Sequence, residues 1–168
     1  AGIPVPPGEV AGSPEEAARA AERLGLPVVL KAQVLAGGRG KAGGVKSART
    51  LEEVRARARE ILSLSIKDVP VRRLLVVKAV DIRREYYLGL TVDRSAKKTV
   101  AIVSASGGVD IEEVREPQAI LTAHIDPQSG PDQAALARLA ARAFPPARAA
   151  EALQTLLALY GLFRAKDA

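Results

Sequence analysis

Between Leu30 and Lys46 the chain reads Leu-Lys-Ala-Gln-Val-Leu-Ala-Gly-Gly-Arg-Gly-Lys-Ala-Gly-Gly-Val-Lys. Five of its fourteen glycines fall between Gly37 and Gly44, and four cations, Lys31, Arg39, Lys41 and Lys46, lie in or beside them. Without a Cβ, glycine lets a backbone approach a ligand closely. Successive N–H groups then make a concavity for an anion, and ammonium and guanidinium groups supply matching charge. A nucleotide phosphate is the natural occupant of such a loop.

The loop is not of the Walker A kind, which needs Gly-Lys-Ser/Thr opening a helix so that a hydroxyl can hold Mg²⁺. Here Gly40-Lys41 is followed by Ala42. Gly38-x-Gly40-x-x-Gly43 matches the dinucleotide fingerprint as a string, but that fingerprint requires a helix to start inside it. Val45-Lys46-Ser47 reads instead as an extended piece, and a helix cap first appears at Thr50. The loop therefore joins two extended segments and is expected to fold over phosphates as a flap. Lys31 follows three apolar residues on a strand read as buried, where a lysine rarely sits without a partner. Further along, Glu85 opens an alternating stretch on its polar face. Asp110, Glu112 and Glu113 could form a carboxylate cluster but are read as stabilising a helix N-terminus. His124, the single histidine, is read as structural.

The elements that position these residues follow from periodicity and capping. Ser13-Pro-Glu-Glu16 and Thr50-Leu-Glu-Glu53 are capping boxes. Ala17, Ala20, Ala21 and Leu24 form the apolar stripe of the first helix, closed by Gly25, and Leu51, Val54, Ala58 and Ile61 that of the second. Strands are expected over Pro27–Val34 and Arg73–Val80, so the first half runs helix, strand, flap, helix, strand. In the second half Tyr86, Leu88, Leu90 and Val92 share one face, and Glu85, Tyr87, Thr91 and Asp93 the other. Thr99–Ala105 returns as a hairpin, broken by Gly107-Gly108. A short helix over Ile111–Val114, a strand over Ile120–Ile125 and helices over Pro131–Phe144 and Ala147–Phe163 complete an α+β pattern. The change of order predicts two lobes with a boundary near Asp81.

Composition bounds the remaining classes. The 168 residues are 48% hydrophobic, enough for a core. No apolar run approaches the roughly 20 residues of a membrane span, and no signal-peptide pattern opens the chain, so a cytoplasmic protein is expected. The absence of cysteine excludes disulfides, thiolate metal sites and cysteine nucleophiles. A net charge of +6 permits an acidic partner. With three tyrosines, two phenylalanines and no tryptophan, and with dispersed basic residues, nucleic-acid binding is not expected.

The segment Lys31–Lys46 resembles the nucleotide loop of succinyl-CoA synthetase (succinate–CoA ligase) β subunits, which are ATP-grasp ligases. Gly2-Ile-Pro-Val-Pro, Asp81-Ile-Arg-Arg-Glu85-Tyr-Tyr-Leu-Gly, Val92-Asp-Arg-Ser, Gly107-Gly-Val-Asp-Ile-Glu-Glu-Val, Ile125-Asp-Pro and Ser129-Gly-Pro agree in order and spacing. The resemblance implies an ATP-grasp fold of two lobes, the second partial, with antiparallel and mixed sheets and flanking helices: residues 1–81 as a first subdomain carrying the flap, residues 82–168 as part of a second. It implies ATP or GTP as the bound nucleotide, with Lys31, Gly38, Arg39 and Gly40 at the phosphates and Glu85 at the ribose. It implies an α-subunit partner whose histidine carries the phosphoryl group, and succinate and CoA bound through regions outside this chain. A related acid–CoA ligase such as a malate-specific one, or a non-catalytic nucleotide-binding or scaffold fragment, are the alternatives. Mg²⁺ is expected in the full-length protein through ligands beyond Ala168, so this chain alone is expected to be inactive and to contribute no metal ligand. Lys78 stands where many relatives carry a glutamate near the base, which leaves the choice between ATP and GTP open.

Overall fold

Side-chain caps start the first two helices. In the computed structural model, which describes residues 2–108 and 120–166, α1 spans Pro14–Leu24 and α2 spans Leu51–Leu62. The Ser13 hydroxyl accepts from the Glu16 N–H at 3.2 Å, and the Glu16 carboxylate accepts from Gly12 N–H at 2.7 Å. Thr50, Glu53 and Arg49 repeat the pattern at 3.1 and 2.6 Å. The carboxylate thus reaches the residue before the cap, one position further out than in the usual box.

The chain divides into two compact units, Val5–Asp81 and Ala1–Pro4 with Ile82–Ala168. In the first, β1 (Gly8–Ala11), β2 (Val28–Ala32), β3 (Val45–Ala48) and β6 (Leu74–Lys78) form a sheet in the order β1-β6-β2-β3. Every pairing in it is antiparallel. One face lies under α1 and α2: Val28, Leu30, Leu74 and Val76 pack with Ala17, Ala21, Val54 and Ile61. Each fully buried Val, Leu or Ile there contributes about 1.5–3 kcal/mol, and the alanines of α1 let the helix approach the sheet closely.

Two pieces of this unit had no clear sequence signal. β1 is four residues without alternation, and it becomes a strand by pairing with β6, distant in the chain. β4 (Ser65–Ile66) and β5 (Val69–Pro70) form a small hairpin whose turn residues, Lys67 and Asp68, both adopt left-handed backbone at φ 50° and 63°. That is the turn type that ordinarily announces itself with glycine.

In the second unit β7 (Tyr87–Asp93), β8 (Lys98–Ser104) and β9 (Ile120–Ile125) form an antiparallel meander. Helices α3 (Gln133–Ala143) and α4 (Pro146–Lys166) pack on one face of it. The Asp132 carboxylate caps α3 by accepting from the N–H groups of Ala134 and Ala135. Leu88 and Leu90 turn toward these helices, as the alternation predicts, whereas Val92 at the strand end is 54% exposed. The helix expected over Ile111–Val114, with Asp110, Glu112 and Glu113, lies outside the described residues. Among the described residues no helix is long and apolar enough to cross a membrane.

Candidate functional site

Lys31 occupies the central strand β2, between β6 and β3. The register pairs it with Leu75 on one side and Val45 on the other, and Leu75 pairs in turn with Val10. Paired residues share a face, so Val10, Leu75, Lys31 and Val45 form one row across the sheet, on the side turned away from α1 and α2. Lys31 is exposed there. The expectation of a buried strand lysine is therefore corrected. β2 is buried on its Val28, Leu30 and Ala32 side only, and Lys31 projects from the opposite side, as the single cation in an apolar row.

The glycine loop leaves β2 and returns as β3. Its closure uses carbonyls: Gly38 O accepts from Ala42 N–H (3.0 Å), Arg39 O from Gly44 N–H (2.8 Å) and Gly40 O from Gly43 N–H (3.1 Å). Gly44 O accepts in turn from Ala32 N–H at 2.7 Å, which ties the returning limb to the end of β2. Among the described residues, the N–H groups of Gly38, Arg39 and Gly40 donate to no backbone carbonyl. Three successive amides are thus left for an outside acceptor, as in anion-binding backbone nests. The Arg39 guanidinium reaches back to donate to Ala32 O at 3.3 Å, one residue beyond Lys31.

Gly37 and Gly40 stand in open space, whereas a Cβ on Gly44 would lie 3.0 Å from Ala32 Cβ, Arg39 O and Ile66 Cδ1. The packing need for glycine is therefore at the base of the loop. A groove of about 630 Å³, lined by Gln33, Leu35, Val69 and Arg73 among others, runs along the incoming limb and includes none of the expected phosphate ligands.

The four cations do not act together. Lys46 pairs with Leu30, a core-facing residue, and its ammonium meets Glu60 of α2 at 2.6 Å, on the helix-covered face opposite Lys31. Glu60 is held below the usual carboxylate range by Lys46 and then by Arg57. The parity of the β2–β3 pairing decides this: Lys31 and Lys46 fall on opposite faces, a signal that two-residue periodicity could have supplied. Lys78 also lies on the helix side, opposite Val28, and donates to the carbonyls of Gly25 and Leu26 at 2.9 Å each.

Glu85 belongs to the other unit, two residues ahead of β7, and its carboxylate is exposed. Its carbonyl accepts from Gly107 N–H at 3.1 Å. The next residue, Tyr86, is anchored, with its ring 5.0 Å from that of Phe144 and the Arg84 guanidinium 5.1 Å over it. His124 is half exposed and lies 3.1 Å from Asp93. Among the described residues no three His, Asp or Glu side chains gather to hold a metal ion.

The architecture sets the class: an α+β domain of two antiparallel units, one of which slings a glycine loop between neighbouring strands of a helix-backed sheet. The chain belongs to the ATP-grasp domain family, whose sequence pattern matches residues 1–168. It is 48% identical over 169 residues to the β subunit of a GDP-forming succinate–CoA ligase from Thermus thermophilus, covering 99% of this chain and 45% of that protein. It is 52% identical over 132 residues to the ADP-forming β subunit of Gemmatimonas aurantiaca, covering 77% of this chain and 35% of that one. The resemblance read from the residues holds, and the chain spans less than half the length of these two relatives. Among solved structures it matches the dinucleotide forming acetyl-coenzyme A synthetase 1 of Ca. Korarchaeum cryptofilum in complex with coenzyme A, Ca-AMPCP and HgCl+. The TM-score is 0.66 at 27% identity, over 83% of this chain and 59% of that chain.

Proposed function

We propose that this chain is the nucleotide-gripping portion of a succinate–CoA ligase β subunit. The observation that carries the reading is the loop's hydrogen-bond pattern, in which the carbonyls of Gly38, Arg39 and Gly40 close the turn and their N–H groups do not. In this reading those amides, with Lys31 and Arg39, hold the phosphates of ATP or GTP, and Glu85 takes the ribose. Unit Val5–Asp81 is then the first ATP-grasp subdomain, and the chain from Ile82 onward is part of the second. The β subunits it matches include GDP-forming and ADP-forming ones, so both nucleotides belong to the proposal.

The reaction proposed for the whole enzyme converts nucleoside triphosphate, succinate and CoA to nucleoside diphosphate, phosphate and succinyl-CoA. The phosphoryl group travels through a histidine of the α subunit, in a cytoplasmic heteromer. The share of this chain is positioning and charge neutralisation, which is most of what phosphoryl transfer asks of a protein. A bound magnesium ion would supply further neutralisation of the phosphates.

Calorimetric titration of ATP into the wild type, Lys31→Ala and Arg39→Ala tests the site. Each substitution removes a charge-assisted contact and is expected to weaken binding about tenfold. Added salt is expected to weaken the wild type toward the variants. Affinity left unchanged by both substitutions would put the nucleotide elsewhere.

A further inference from the structure

We infer that Gly107 and Gly108 are positioning residues for Glu85, an inference that rests on the reading of Glu85 as a nucleotide contact. The glycine pair follows β8 and comes back against the strand entry at Glu85–Tyr86. Gly107 N–H donates to the Glu85 carbonyl at 3.1 Å, and a Cβ on Gly107 would lie 2.6 Å from the N, C and O atoms of Tyr86. No side chain fits there, so the two backbones lie flush. Gly108 has left-handed backbone at φ +69°, and a Cβ on it would overlap Oε2 of the Glu85 carboxylate. The carboxylate therefore rests on the bare α-carbon of Gly108.

Tyr86, the residue after Glu85, is anchored by its ring contacts with Phe144 and Arg84. Glu85 is thus bounded by an anchored neighbour, by a hydrogen bond at its carbonyl and by a glycine surface under its carboxylate. Among the described residues that carboxylate has no ion-pair or hydrogen-bond partner, and the bare α-carbon of Gly108 is what lies against it. A methyl group at 108 would push the carboxylate off its seat without touching its charge.

The test is a double-mutant cycle read as the ATP dissociation constant of the 168-residue chain, with thermal melting measured beside it. Glu85→Ala is expected to weaken binding about tenfold. G108A is expected to weaken it by a comparable factor, and the double variant no further than E85A alone. Gly130→Ala is the control for backbone strain: Gly130 has φ +77° but nothing within 4 Å of an added Cβ. It should lower the melting temperature and leave ATP affinity unchanged. If G108A does not fold, Gly108→Asn tolerates the left-handed backbone and still places a Cβ against the carboxylate. Wild-type affinity in E85A would overturn the assignment of Glu85, and the inference with it. A tenfold loss in E85A with normal binding in G108A, or with the two losses multiplying in the double variant, would overturn the positioning role alone.

Discussion

Lys78, where the resemblance implies a glutamate near the base, is engaged by backbone carbonyls of its own unit. Its ammonium lies just past the C-terminal end of α1, on the carbonyls of Gly25 and Leu26 in the turn that follows, where a cation also complements the helix dipole. That contact makes it a brace of the α1–β2 turn. Lys78→Met keeps the stem and removes both hydrogen bonds. The expected cost is about 1 kcal/mol in urea unfolding, reduced from a fully buried value because the side chain is half-buried. The ratio of ATP to GTP affinity should stay within about twofold of wild type, well under one hydrogen bond's worth of discrimination. A changed ratio with unchanged stability would return Lys78 to the nucleotide.

At the scale of elements, the β7–β8 turn is held by Asp93. Its carboxylate accepts from Ala96 N–H at 2.9 Å and lies 3.1 Å from His124 Nε2 across β8. The Ala96 N–H first, and His124 second, hold its pKa below the ordinary value of 3.8. Asp126 is lowered in the same way by the N–H groups of Ser129 and Gln128. A carboxyl depressed in the fold contributes stability that is fully present above its unfolded pKa. That contribution is lost as pH falls through the folded value. Asp93→Asn is therefore expected to be less stable than wild type at neutral pH, with the gap closing as the pH falls below 3.8. Urea midpoints across that range check it, and a gap independent of pH would contradict it.

For the whole molecule, the Val5–Asp81 unit is closed by its own first and last strands, since β1 pairs with β6. Its core residues, from Ala11 to Val76, form one cluster. A fragment spanning this unit is expected to fold alone and to melt cooperatively by circular dichroism, although a core of this size leaves a margin of only about 3–5 kcal/mol. A non-cooperative melt would mean that the unit depends on the rest of the chain.

The features legible from the residues alone were local or motif-borne. Caps at Ser13 and Thr50, the helical stripes, the β7–β8 hairpin and the glycine loop with Lys31 depend on residues a few positions apart, or on strings long enough to carry the family. Pairing between distant strands was settled only by the folded chain. β1 exists because β6 is beside it, and Lys31 is exposed because it projects from the face of the β1-β6-β2-β3 sheet opposite α1 and α2. Lys46 is turned to Glu60 by a register in which one residue's shift changes the face. The seat under Glu85 is the clearest case. Gly107 and Gly108 lie some twenty residues further along the chain, and only the return of β8 alongside β7 brings their bare backbone against it.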